Sequence, residues 1–253
     1  MPRRGILFAF AALLATTGAV RGQEGLGDRM SIDRLGDIQT GTYTASSGTV
    51  FSLNAYAAKF LLRFAGDPEI FVLYVDHASL GGRVLKFDSG ETALAVSGWG
   101  AVTIYTDAQP GGLPADRTGN SPMPSLPQLS LSDVQKAAAD EATHLTYTHG
   151  LHIAFVADWA ALAADAGLRA VTFDAMQNVA RGLDRFAANA TARGILAARM
   201  DSVHMVSGGS PTIALRGKTL LVTFAPVRGF EGRASSHGIA RALGRLFDLP
   251  IAG

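Results

Sequence analysis

Three of the six histidines fall inside THLTYTHGLH, residues 143–152, which raises the chemistry of a metal centre. Ligands that share a metal stand three or four positions apart on a helix and two apart on a strand. His144 and His149 are five apart, about 140° around a helix of 3.6 residues per turn, and His152 lies past Gly150, a helix stop. The spacing therefore predicts no metal and no cofactor. His149 falls on the apolar stripe of Val134, Ala138, Ala142 and Leu145 at a helix C-terminus, where the helix dipole favours an imidazole. Glu141 and His144 form the Glu-x-x-His half of a di-iron carboxylate motif, but no second copy follows.

Other chemistry-bearing groups are scattered. Asp76-His77 closes an apolar strand, the usual setting of a polar turn. Gly217-Lys218-Thr219 imitates the end of a phosphate loop, yet the required earlier glycine is Thr212 and a strand follows. Neither Gly-x-Ser-x-Gly nor His-Glu-x-x-His occurs, and Ser235-Ser236-His237 are sequence neighbours, which rarely converge as nucleophile and base. The best place for a small anion is residues 227–238, VRGFEGRASSHG. Arg228 and Arg233 would offer charged donors there, and Ser235 or Ser236 a hydroxyl at a helix start. The competing reading is that one serine merely caps the helix and the arginines are solvated. Trp99 sits in a tight turn, where it either anchors a partner or folds back onto its own sheet.

The elements that must position these groups come in two sets. From residue 38 to 108 the pattern is short strands: TYTAS, FSLNAY, KFLLRFA, EIFVLYVDH, RVLKF, TALAVS and AVTIYTD. Glycine turns at Asp88-Ser89-Gly90-Glu91 and Ser97-Gly98-Trp99-Gly100 join the last three. An antiparallel β meander or small barrel-like module is expected. Residues 109–130 hold five of the ten prolines together with Gly, Ser and Asn, and are read as a linker. From 131 to 253 the chain reads as a helix-rich α+β module. Its first helix has a capping box at Ser132 and Gln135 and stops at Gly150. HIAFV then forms a strand. Helices start at Asp158 and near Thr172, and DSVHMV, TIALR and TLLVTF form a three-stranded antiparallel sheet. A last helix from Ser236 buries Ile239, Leu243, Leu246 and Phe247.

The address comes from the first 22 residues. Arg3 and Arg4 precede an apolar run from Gly5 to Ala19, the pattern of an export signal, with cleavage expected after Ala19 or Gly22. Losing Arg3, Arg4 and Arg21 leaves 19 basic against 21 acidic residues, so the formal charge falls from +1 to −2. A basic footprint for nucleic acid is absent. No later run reaches the roughly 20 apolar residues of a spanning helix, so the mature chain should carry no transmembrane span. The chain has no cysteine, so an oxidising compartment would add no disulfide to a fold held by burial.

The runs KFLLRFAGDPEIFVLYV and RVLKFDSGETALAVSGWGAVTIYTDAQPGG, with IALRGKTLLVTFAPVRGFEGRASSHGIARAL later, resemble an uncharacterised family of exported alphaproteobacterial proteins. The resemblance implies export and a two-part build, and carries no functional residue. The expected protein is thus periplasmic or secreted, a non-catalytic binding or envelope-associated interaction protein whose partner is a protein or another envelope component. The alternative is a small periplasmic hydrolase in which Asp76, His77 or Glu141 meet only in the fold.

Overall fold

The computed structural model describes residues 38–249, so the expected export signal at residues 1–22 lies outside the described residues. Eight strands come first: β1 (Gly41–Ala45), β2 (Val50–Tyr56), β3 (Lys59–Phe64), β4 (Phe71–His77), β5 (Arg83–Lys86), β6 (Thr92–Val96), β7 (Val102–Thr106) and β8 (Gln109–Gly119). Each pairs antiparallel with its neighbour in sequence, and β8 returns to β1 to close a barrel. Alternate residues point inward, and Phe51, Leu53, Leu62, Leu73, Leu94 and Ile104 fill the interior at 1% exposure or less. The barrel is therefore a packed core. On the outer wall Leu61, Ile70 and Val72 form a small second cluster, covered by Phe230.

The expected linker is corrected in its first half, because residues 109–119 are the strand that closes the barrel. Their prolines are tolerated where the ladder is irregular. The β7–β8 register slips between Ile104 and Thr106, so Pro110-Gly111-Gly112 bulges out of the pairing with Gly112 at φ +80°. Pro114 needs no N–H, and its carbonyl accepts from the Ser46 amide at 2.9 Å. Only residues 120–130 remain without regular structure between the two parts.

The second part contains α1 (Leu131–His149), β9 (Ala154–Ala157), α2 (Trp159–Ala164), α3 (Ala166–Ala187), α4 (Ala190–Arg199), β10 (Ser202–Ser207), β11 (Thr212–Arg216), β12 (Thr219–Phe224) and α5 (Ser236–Leu246). Helix α1 stops as expected, with Gly150 at φ +67°, but its capping box is Ser130 with Asp133, two residues earlier than Ser132 with Gln135. Helix α3 begins at Ala166 rather than near Thr172, because Asp165 caps it through the amides of Gly167 and Leu168. Helix α4, capped by Asn189, was not expected as a separate element.

The three-stranded antiparallel sheet is also corrected. Four strands lie in the order β11-β12-β10-β9, with β10 parallel to both β12 and β9 and only β11–β12 antiparallel. The parallel β9–β10 pair requires a long crossover, which α2, α3 and α4 supply. One face of the sheet is apolar (Phe155, Val203, Met205, Leu220, Val222 and Phe224) and packs on the stripes of α1, α3 and α5. Gly182 lets α3 and α5 cross closely, since a β-carbon there would overlap Ile239.

Candidate functional site

An up-and-down barrel sends its turns alternately to its two ends. One end receives the β1–β2, β3–β4, β5–β6 and β7–β8 turns, and the other receives β2–β3, β4–β5 and β6–β7. The first of these ends meets α5 and is built from carboxylates: Asp67 and Glu69 lie in the β3–β4 turn, Asp88 and Glu91 in β5–β6, and Asp107 in β7–β8.

The N-terminus of α5 takes these groups in turn. Ser235 caps the helix through the Gly238 amide, while Asp88 accepts from both the Ser235 amide at 2.8 Å and its hydroxyl at 2.5 Å. Glu69 accepts from the Ser236 amide at 2.7 Å. The first amides of a helix have no intrahelical acceptor and carry partial positive charge, so carboxylates are natural partners. Gly238 makes room, since a β-carbon there would overlap the Asp88 carboxylate. His237 lies over the barrel's end, stacked on Phe87 at 4.0 Å and edge-on to Phe71, with its Nδ1 donating to Glu91 at 2.7 Å.

Arginines complete the junction. Arg185 pairs with Asp107 and donates to the Ser236 hydroxyl at 3.0 Å. Arg233 is buried, paired with Asp174 of α3, and donates to the carbonyls of Phe230 and Ile70 at 2.8 and 2.9 Å. Burial lowers its pKa to about 10. Burial also pushes Glu69 above the ordinary carboxylate value, against the Ser236 hydrogen bonds and Arg181, whereas the hydrogen bond from His237 holds Glu91 below it.

The expected anion-binding residues are therefore in place but engaged. Arg233 is a buried structural ion, not a solvated or ligand-facing one, and the anions on Ser235 and Ser236 are the protein's own Asp88 and Glu69. Arg228 lies nearest Glu231, which pairs with Lys59 at 2.5 Å. His237 and Glu91 have the form of a histidine oriented by a carboxylate, but the neighbouring hydroxyls are directed elsewhere. Ser89 donates to Glu91, Ser235 donates to Asp88, and Ser236 accepts from Arg185. Among the described residues no serine is set against the imidazole as a nucleophile would be. The arrangement holds two parts of a protein together.

The histidine stretch converges after all, through a residue from another element. His144 and His149 both place Nε2 at 3.0 Å from the carboxylate of Asp184 on α3. The long imidazole arms close on a two-sided acceptor standing between them. His152 is exposed and joins neither. Among the described residues no group of three or more His, Cys, Asp or Glu side chains is placed to hold a metal ion. Asp76 pairs with Lys86 and Glu141 with Gln177, so the residues of the hydrolase alternative share no hydrogen bond with one another or with His77 among the described residues.

The opposite end of the barrel is different. A depression of about 270 Å³ opens there beside Trp99, lined by Gln39, Tyr43, Val102, Asp116 and Arg117. Trp99 is 75% exposed, which settles that it does not fold back onto its own sheet. Leu80, in the β4–β5 turn, is 86% exposed. The two turns touch, since a β-carbon on Gly98 would overlap the Leu80 carbonyl. Sequence reasoning singled out Trp99 but missed Leu80, Asp88, Glu69 and Asp184. An acidic residue in a turn carries no mark of what it will meet.

Residues 26–243 match the model of a Domain of unknown function (DUF4908). The chain belongs to that family. The match runs through barrel, connection and α/β part alike, so the two parts are one family unit, in keeping with their grouping in a single compact body. No curated protein and no solved structure gives a significant match. Among the described residues no helix is long and apolar enough to cross a membrane.

Proposed function

We propose that the protein is an exported, non-catalytic binding protein of the cell envelope, and that its contact surface is the open end of the barrel. The observation that carries this reading is the pairing of an exposed Trp99 with a concave, partly polar depression. Tryptophan at a surface offers a large apolar face with a single polar N–H, the composition typical of contact hot spots. The junction end offers nothing comparable, since its carboxylates, hydroxyls and imidazole are bonded to each other. Export is supported by Arg3-Arg4 and the apolar run that follows.

Envelope fractions incubated with the mature protein test the reading. Wild type should be retained, and Trp99→Ala should be retained several-fold less while its unfolding midpoint stays unchanged. Equal retention of the two would remove the open end as the contact surface. Intact mass of the exported form should show a chain beginning at Val20 or Gln23.

A further inference from the structure

The turns at the open end differ from three of the four at the junction end in what they lack, the exception being the short turn at residues 46–49. The segments between strands there, residues 57–58, 78–82 and 97–101, contain no acidic or basic residue. They present Leu80 and Trp99, both exposed, on two turns whose backbones meet at Gly98 and the Leu80 carbonyl. Leu80 stands at φ +56°, a left-handed conformation that favours glycine or asparagine. A large apolar side chain held there points into water with no packing to compensate for the backbone. Cations flank this tip. Arg83 donates through Nη1 to the carbonyls of Gly81 and Gly82, which fixes its guanidinium at the base of the Leu80 turn. Arg117, beside Trp99 in the depression, donates to the Thr40 carbonyl and to Asn120 Oδ1. Neither arginine is ion-paired among the described residues, although Asp116 also lines the depression. The chain enters β1 at this same end, through Gln39.

We propose that the open end docks onto a lipid bilayer with anionic headgroups, Leu80 and Trp99 entering the interfacial layer and Arg83 and Arg117 meeting lipid phosphates. This names the partner of the surface proposed above and rests on that reading. An uncharged apolar tip ringed by unpaired guanidinium groups matches the layering of a membrane surface, apolar below and anionic above. Tryptophan favours that boundary, and arginine pairs with phosphate through two parallel hydrogen bonds.

The test uses mature protein carrying Trp159→Phe, so that Trp99 is the one emitting tryptophan, and protein-free vesicles of phosphatidylglycerol with phosphatidylethanolamine. Trp99 emission should shift to shorter wavelength on these vesicles and not on phosphatidylcholine alone. Leu80→Asp should weaken partitioning about tenfold or more, as expected for losing one buried leucine. Arg83→Gln should weaken it about fivefold, and less in high salt. Leu80→Gly guards against a folding artefact: it relieves the backbone, so the protein should be at least as stable while binding vesicles more weakly. Unchanged emission on anionic vesicles, or partitioning of Leu80→Gly equal to wild type, overturns the lipid inference. Retention on native envelopes without binding to protein-free vesicles would overturn it while leaving the binding reading intact. Loss of both would remove both.

Discussion

The two ends of one barrel are made from the same kind of hairpin and carry opposite chemistry. Three of the four turns at the junction end bring Asp67, Glu69, Asp88, Glu91 and Asp107 to the side of α5, Arg185 and Arg233. Three turns at the open end bring no charge between their strands and expose Leu80 and Trp99. A closed up-and-down barrel makes such a division easy, because successive turns alternate ends and each end can be changed without disturbing the shared interior. The contrast teaches that a cluster of polar residues can serve an internal contact. Here they join α5 to the barrel, and the end whose turns carry no charge between their strands leaves Leu80 and Trp99 exposed.

The comparison breaks most severely if Arg233 is lost. Arg233→Met should cost about 3–5 kcal/mol in chemical denaturation, because Asp174 would stay buried without its cation and the carbonyl of Ile70 would lose a donor. A smaller cost would mean that the junction relaxes to admit water. No change in vesicle or envelope binding per folded molecule is expected, which keeps the two ends separable.

Acidity should sharpen the contrast further, since two junction carboxylates titrate in opposite senses. Glu91 has a depressed folded pKa, so its contribution is complete above its unfolded value, near 4.3, and is lost as pH falls through the folded value. Glu69 has a raised folded pKa, so its contribution is complete below the unfolded value and is lost as pH rises through the folded one. Glu69→Gln should therefore flatten the loss of stability on raising pH above about 4.3, while Glu91→Gln should flatten the loss below it. Denaturation midpoints across pH 3–8, an interval set by ordinary carboxylate values, decide this. Identical slopes in wild type and Glu69→Gln would show that the buried carboxylate is ionised at no cost.

The smallest effect belongs to the open end. Leu80→Gly should raise stability by about 0.5–1 kcal/mol, the strain of one left-handed residue less the added freedom of glycine in the unfolded chain. Thermal unfolding measures it. A destabilisation would mean that Leu80 packs on something in solution.

Much of the architecture was legible locally. The hairpin turns at residues 88–91 and 97–100, the stop at Gly150, the turn at Gly217-Lys218 and the start of α5 are each decided by neighbours in sequence, and they stand where expected. Strand β8 was not legible, because its prolines argue against a strand until a bulge and a partner on each side are known. The sheet order was hidden for a similar reason: DSVHMV reads as a hairpin partner of TIALR, yet it lies parallel to TLLVTF.

The sequence by itself determined the two-part α+β build, the inward faces of the strands, and which residue begins the last helix. Periodicity and capping act over three or four residues and are written in the chain. Only the tertiary structure decided that Asp88 and Glu69 occupy that helix start, that Asp184 draws His144 and His149 together, and that the turns carrying Leu80 and Trp99 meet. Those meetings join residues far apart along the chain. They depend on barrel closure and helix packing, which fix the positions of turns in space while leaving no local trace in their sequences.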